Sequence, residues 1–341
     1  MSPREDDAIA RSLRGLRERR IAPVWDRMDE PDAVLFESLW EDLVALGLTA
    51  IGLPEEHGGV ELEASSLASV LTELGAAAPA LGCALIGHLT ATALLVNAGV
   101  PIGEGRGALA FSPLDARPAA RFALAGSLSG AVRVGLAWPS WIVVPARRDT
   151  EPRLCVVALR QRGVRFEGRP SSHGLRLFPF GTLTLEGAIP SYEVAWPEAG
   201  RTAALADGLV TALLCGMASE LADRAMSFAF DRYQGGKMIR DHDAVRALVG
   251  PIELARRPLA ALALATLTQD EPGDGGASAF AADIVRQAGL DAIQTMGGSG
   301  YMQDYGVERY LRDAGTLETS WIHAAARRRE IARARFAEME R

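Results

Sequence analysis

"QTMGGSGYMQDYGVERYLRDAGTLETSW", residues 294–321, joins two glycine turns to a charged segment and ends on a tryptophan. Taken alone, "GGSG" (Gly297–Gly300) is a turn between helices. "ERYLRDA" carries Glu308, Arg309, Arg312 and Asp313, which read most simply as surface ion pairs. Upstream, "GASAFAADIVRQAGLDAIQTMGG" has a helical pattern. Downstream, "TLETSWIHAAARRREIARARFAEMER" reads as a helix with Thr316 or Thr319 as its cap. The stretch therefore links two helices of a larger helical array.

Further back, "DHDAVRALVGPIELARRPLAALALATL" is a helix bent or broken at Pro251 and Pro258. "LADGLVTALLCGMASELADRAMSFAFDRYQGG" runs for about 30 residues, roughly 45 Å of helix, with Gly235 and Gly236 to end it. Four long helices with short loops imply an up-and-down bundle over 201–341. Residues 106–200 differ. "ALAFSPLD", "RFALAG", "WIVVPARR", "RLCVVALR", "GVRFEG" and "GTLTLEG" are short β-rich runs between turn residues, the pattern of a small antiparallel barrel or sandwich. Residues 1–105 return to helix. "PDAVLFESLWEDLVALGL" places Val34, Leu35, Leu39, Leu43, Val44 and Leu46 at helical spacings of roughly 3–4, and the run after it breaks at Gly75 and Pro79. Between them "GLPEEHGGV" (52–60) is a loop. The expected fold is mainly α with a middle β domain.

The composition narrows the function. The chain has 341 residues, suited to two or three domains. It is 48% hydrophobic and 23% charged, an ordinary soluble globular composition. A net charge of −7 argues against a general nucleic-acid or anionic-membrane surface. Cys83, Cys155 and Cys215 are scattered and odd in number, so no disulfide framework or zinc site is expected and a reducing cytoplasm fits. The N-terminal twenty residues lack the apolar stretch of a secretory signal. No run approaches 18 charge-free apolar residues, so no membrane span is expected. The five histidines show no ligand spacing. No nucleophile elbow, dinucleotide fingerprint or Walker loop appears.

The order of the weak motifs says more than any one of them. A helical segment with "PEEHGG", a β segment, a long helix ending R-x-Q-G-G-K-x-I, and then "DAIQTMGGSGYMQDYGVERYLRDA" resembles the flavin-dependent acyl-CoA dehydrogenase family over about residues 20–340. The resemblance implies N-terminal helices, a middle β domain and a C-terminal four-helix bundle. It implies FAD and an acyl-CoA thioester, a carboxylate that removes the α-proton, and an electron-transfer flavoprotein as acceptor. It also implies dimers, or dimers of dimers, in which bundle residues reach a neighbour's FAD. Carried over, Arg232 would meet the FAD pyrophosphate, a permanent charge with a donor fork. Gln294, Gly297 and Gly298 would line the adenosine-diphosphate part of a neighbour's FAD, where glycine backbone approaches phosphate closely. Arg312 and Asp313 would be a buried pair ordering the turn before the last helix.

Both usual base positions are empty. Nine residues past Arg312, where the family carries glutamate, stands Trp321. Counting back from Arg232 to the second subgroup's position gives Ala206, with Asp207 one residue off. Glu318, three residues before Trp321, His323 and Asp207 are the local substitutes, each readable as structural; Glu318 and Thr319 can satisfy free N–H groups at a helix start. The flavin-covering loop is reduced to "FSPLDARP" (111–118), and the segment that packs on the flavin ring is replaced by "VGLAWPSW" (134–141). Three readings follow. The chain is the base-lacking subunit of a heteromeric acyl-CoA dehydrogenase beside a glutamate-bearing homologue. Alternatively it is a self-sufficient divergent flavoenzyme, with a relocated base or as a flavin monooxygenase. Or it is a non-catalytic scaffold without FAD.

Overall fold

Four helices precede the sheet: α1 (Pro3–Leu16), α2 (Ala33–Ala45), α3 (Ala64–Ala77) and α4 (Pro79–Asn97). The computed structural model describes residues 3–60, 63–168, 172–269 and 273–340. Asp32 starts α2 by accepting the Leu35 N–H at 2.9 Å. The buried stripe of α2 is Leu35, Phe36, Leu39, Trp40 and Leu43. Val34, Val44 and Leu46, expected on that stripe, are exposed. The aromatic side chains take the inward positions because they bury more apolar area per residue.

Gly75 does not break a helix: it lies inside α3, and the chain turns only at Ala78, with Pro79 in the first turn of α4. Its role is close approach. A Cβ at Gly75 would lie 2.0 Å from the Leu213 carbonyl oxygen, and one at Gly216 would lie 1.9 Å from that of Thr72. Thus α3 crosses α5 (Gly200–Asp231) backbone to backbone. One apolar core runs from α2 and α3 through α5 into the later helices.

The strands are β1 (Gly107–Leu109), β2 (Phe122–Leu124), β3 (Leu128–Gly135), β4 (Trp141–Arg148), β5 (Glu151–Ala158), β6 (Val164–Gly168), β7 (Phe180–Ala188) and β8 (Tyr192–Ala195). Their order is β6-β7-β3-β2-β4-β5-β8, with β1 also on β4. The sheet is mostly antiparallel, but β1 and β2 both run parallel to β4, which corrects a purely antiparallel expectation. The β2–β3 hairpin folds back before β4 begins, so β4 lands on the far side of β2. β1 pairs with residues 141–143 and β2 with 146–147, so the two share one edge of β4 end to end. Because β2 meets β3 only at residues 128–130, the rest of β3 pairs with β7 alone. That gap between sheet halves shapes the cleft described below.

After α5 come α6 (Asp243–Thr268), α7 (Gly276–Met296), α8 (Val307–Leu317) and α9 (Ala324–Met339). α6 runs through Pro251 and Pro258 without a break, both rings lying on its exposed side. There water can bond the carbonyls that proline leaves free. α5 ends at Asp231. Gly235 and Gly236, both at positive φ, instead form the turn of a hairpin that pairs Tyr233–Gln234 with Lys237–Met238. The last helix is split: α8 widens into a π turn, Glu318–Ile322, and His323 takes a left-handed conformation before α9. Thr316 and Thr319 cap nothing, because their hydroxyls turn back to the carbonyls of Arg312 and Gly315. α4 and α5 are long and apolar enough to cross a membrane by length and composition, yet 89% of each apolar window is buried inside the protein.

The charged run before α9 is not a surface feature. Arg309 and Asp313 are buried. Arg309 donates to the Trp25 carbonyl at 2.7 Å and stacks on the Trp25 ring. Arg312 and Asp313 do not pair with each other. Arg312 binds Asp29 at 2.9 Å and Glu308 at 2.5 Å, while Asp313 accepts the Leu175 N–H at 2.5 Å. Neighbours on one helix project about 100° apart, so the two side chains serve different partners. Together they tie the chain before α2, the loop before β7 and α8 into one unit.

Candidate functional site

Trp321 sits at the junction of the sheet and the last helices. It is buried, and its ring meets Phe178 edge-on at 5.8 Å. Its carbonyl accepts the Ser112 hydroxyl at 2.6 Å, and the same oxygen of Ser112 accepts the Leu114 N–H at 3.2 Å. Behind the indole lies a small chamber among Ala84, Arg106, Leu109, Ala137 and Phe178, of only about 20 Å³. That is room for roughly one water molecule.

Arg106, which the sequence reading did not single out, fills this region. Its guanidinium lies against Phe36 and Trp40 at 4.9 and 4.8 Å. It binds Glu37 at 2.6 Å and donates to the Ala137 and Trp138 carbonyls. His88 lies outside the chamber's lining and holds Gly107, which lines it. Its Nδ1 accepts the Gly107 N–H at 2.9 Å, its ring stands edge-on to Trp40, and its other nitrogen bonds the Thr49 backbone. Burial first, and the Arg106 charge as well, lower its pKa to about 4.

On the other side of Trp321 the gap in the sheet opens as a cleft of about 710 Å³. Its walls include Val134 and Gly135 of β3, Phe180, Thr319, Ser320 and Trp321. Arg121, Arg133 and His323 reach into it as well. Its acid, Asp115, is bound by Arg327. Aromatic walls, hydroxyls and cations together suit a ligand with a flat ring and an anionic tail.

The other expected site residues are scattered. Ala206 is fully buried in α5. Asp207 is buried too, but turned toward α7, where it accepts the N–H groups of Ser278 at 2.9 Å and Ala277 at 3.3 Å. It caps that helix and faces no cleft, so it is not a substitute base. Burial pushes its carboxyl above the usual range against those hydrogen bonds. Glu318 is half-buried outside the cleft's lining. Arg232 is exposed where α5 ends, in a groove with Asp231, Met296, Asp304 and Tyr305. Gln294, Gly297 and Gly298 are exposed at the end of α7, outside that groove's lining.

Two family profiles match the sequence: acyl-CoA dehydrogenase N-terminal domain over residues 3–101, and acyl-CoA dehydrogenase C-terminal domain over 204–320, together well over half of the chain. The chain belongs to the acyl-CoA dehydrogenase family. Cyclohex-1-ene-1-carbonyl-CoA dehydrogenase of Geobacter metallireducens is 29% identical over 89% of this chain and 90% of its own length. A probable acyl-CoA dehydrogenase, fadE25 of Mycobacterium bovis, is 27% identical over 92% and 90%. Among solved structures, the steroid ACAD Tcur3481–Tcur3483 superposes with a TM-score of 0.81 at 22% identity, covering 99% of both chains.

The family fold is thus kept, with an indole wedged between the sheet and the last helices. The His88 clamp gives a prediction for the region behind it. A histidine whose folded pKa is lowered from 6.5 to about 4 binds fewer protons folded than unfolded over that range. Stability from this group is therefore present above pH 6.5 and lost as pH falls toward 4, up to about 3 kcal/mol. Asp207 and Asp313, whose carboxyls burial pushes up, act in the opposite sense at low pH. The comparison is therefore with His88→Gln, which cannot take a proton. Urea unfolding at pH 7 and at pH 4 should show wild type losing more stability than the variant. Equal losses would mean that His88 is not held neutral by the fold.

Proposed function

We propose that this chain takes part in FAD-dependent α,β-dehydrogenation of an acyl-CoA thioester as the base-lacking subunit of a heteromeric enzyme, beside a homologue that carries the glutamate. The observation that carries this reading is Trp321. It stands where the base belongs, packs on Phe178 and leaves a chamber of only about 20 Å³ behind it. Tryptophan cannot accept a proton, and neither Asp207 nor Glu318 faces the cleft. His323 does line the cleft, at the mouth rather than at the small chamber.

The residues that remain serve binding and assembly. The cleft beside Trp321 fits FAD: a flat ring meets Phe180 and the indole edge, and anionic groups meet arginine. FAD, when bound, supplies the hydride acceptor for the pair of subunits. The exposed motif at the end of α7 suits a neighbour. A Cβ at Gly297 or Gly298 would meet no atom of this chain within 4 Å, so the backbone is approachable from outside. Gln294 lies on the same exposed end. α5 and α7 hide most of their apolar surface: α5 exposes only Met226 and Phe230 as large hydrophobics, and α7 Phe280 and Leu290. These patches, with Leu254 and Leu264 on α6, support bundle-to-bundle pairing in a dimer or dimer of dimers. An electron-transfer flavoprotein is the acceptor of this reading.

Co-expression with a glutamate-bearing homologue tests it. A stable complex with bound flavin and dye-reducing turnover is expected. A monomer that stays unchanged by co-expression at micromolar concentration overturns the proposal. Within that complex, Arg232→Ala removes a permanent charge from a phosphate site. It should weaken FAD retention by roughly 10–100-fold, the worth of one charged hydrogen bond. Arg232→Lys should recover only part, since an ammonium lacks the fork. Bound flavin is read by absorbance as FAD is made limiting. Retention equal to wild type in Arg232→Ala would leave the arginine a plain surface cation.

A further inference from the structure

The cleft's charge is unbalanced. Arg121 and Arg133 both line it, and neither guanidinium has an ionic or hydrogen-bond partner among the described residues. Extending the β2–β3 register by one residue sets Arg121 across from Ala131, two positions from Arg133 on the same strand. Residues two apart on a strand share a face, so both guanidinium stems leave the same side of the sheet. The burial pattern agrees: Ser129, Ala131 and Arg133 are outward, Leu128 inward, and Phe122, next to Arg121, inward. Two like charges on one face of the same cleft repel unless an anion lies between them. The cleft's acid cannot serve, since Asp115 is bound by Arg327, which also donates to the Leu114 carbonyl.

The cleft has a second, uncharged half. Phe180 and Trp321 present ring surface, and Gly135 and Gly181 present bare backbone. Side chains cannot be added there freely, because a Cβ at Gly135 would lie 2.4 Å from Phe178 and one at Gly181 would lie 2.2 Å from the Glu167 carbonyl. A ligand for the whole cleft is therefore bipolar, with a flat ring at the indole and two negative charges a few ångströms apart toward the arginines.

We infer that Arg121 and Arg133 form a diphosphate clamp that holds a flavin dinucleotide in this chain's own cleft, independently of Arg232. The inference rests on the flavin reading above but not on the missing base. A chain that cannot dehydrogenate on its own still binds the nucleotide.

Equilibrium binding to the isolated chain tests it, with FAD, ADP and riboflavin as separate probes followed by flavin fluorescence or calorimetry. FAD should bind at least 10-fold more tightly than riboflavin, and ADP should compete with it. The double variant Arg121→Gln/Arg133→Gln should lose roughly 10–100-fold in FAD affinity and none for riboflavin. Both side chains are exposed, so an unchanged melting temperature is the check that the variant folds. Arg121→Lys/Arg133→Lys should recover part of the loss. FAD binding no tighter than riboflavin, or unchanged in the Gln variant, overturns the clamp. So does a wild-type chain that binds no FAD yet still supports turnover with its partner, an outcome that leaves the subunit reading intact. Tight FAD binding with no rescue of any homologue's activity separates the two the other way.

Discussion

The isolated chain, given FAD and a panel of acyl-CoA thioesters, is expected to reduce an electron-acceptor dye on the order of 10²–10⁴-fold more slowly than a glutamate-bearing relative. That is the ordinary cost of losing a positioned general base. The geometry argues for the upper end. A thioester α-proton must be taken by a group within hydrogen-bond reach, and Trp321 presents only an indole to its surroundings. The chamber behind Trp321 offers no further room, at about 20 Å³ among Arg106, Phe178 and Leu109. For this reason Trp321→Glu alone should not restore turnover. The carboxylate returns, but the Arg106 guanidinium remains fixed between Phe36, Trp40 and Glu37. Turnover by the wild-type chain at roughly 1 s⁻¹ or more would defeat the prediction, and His323 would then be the first residue to replace.

The sequence carried the family and the layer order because these depend on long patterns. Helical periodicity, a β-rich middle and the Q-x-x-G-G-x-G-Y run all survive in one chain without knowledge of contacts. What it hid are features that depend on who lies opposite. Gly75 reads as a helix breaker, since glycine is a poor helix former. Only the nearness of the Leu213 carbonyl shows that the residue is needed inside α3. Val34 and Val44 read as stripe positions in the sequence, but the larger rings of Phe36 and Trp40 turn inward, where they meet the Arg106 guanidinium. Asp207 looks like a displaced base one residue from Ala206. Its true partners, the first N–H groups of α7, are about 70 residues away in sequence. The cleft was illegible for a similar reason. It exists because β2 stops pairing with β3 at Gly130, a boundary that no local composition marks. For Trp321 the sequence offers a count of nine residues from Arg312 and an expectation that the base is missing, and the structure adds how the indole is wedged in place.

Gly216→Val should be the most damaging single substitution in the core, costing on the order of 3 kcal/mol or more, at or beyond the usual range for overpacking. Most overpacked sites can yield through a side chain. Here a Cβ at 216 would lie 1.9 Å from the Thr72 carbonyl oxygen and 2.8 Å from the Ala76 nitrogen, both backbone atoms of α3. The helices must part, and Gly75 against Leu213 and the Thr72 hydroxyl on the Ala212 carbonyl must part with them. The damage should reach the site. The Ala76 carbonyl accepts the buried Tyr310 hydroxyl of α8, and α8 leads into the π turn that holds Trp321. Gly315→Ala is the matched control. It is a helical glycine whose Cβ would meet nothing within 4 Å, so it should be neutral or stabilise by roughly 0.5–1 kcal/mol. Urea midpoints for the three proteins measure the difference. A Gly216→Val midpoint equal to wild type would show that α3 and α5 can separate without loss, and that this crossing does not set the position of the last helices.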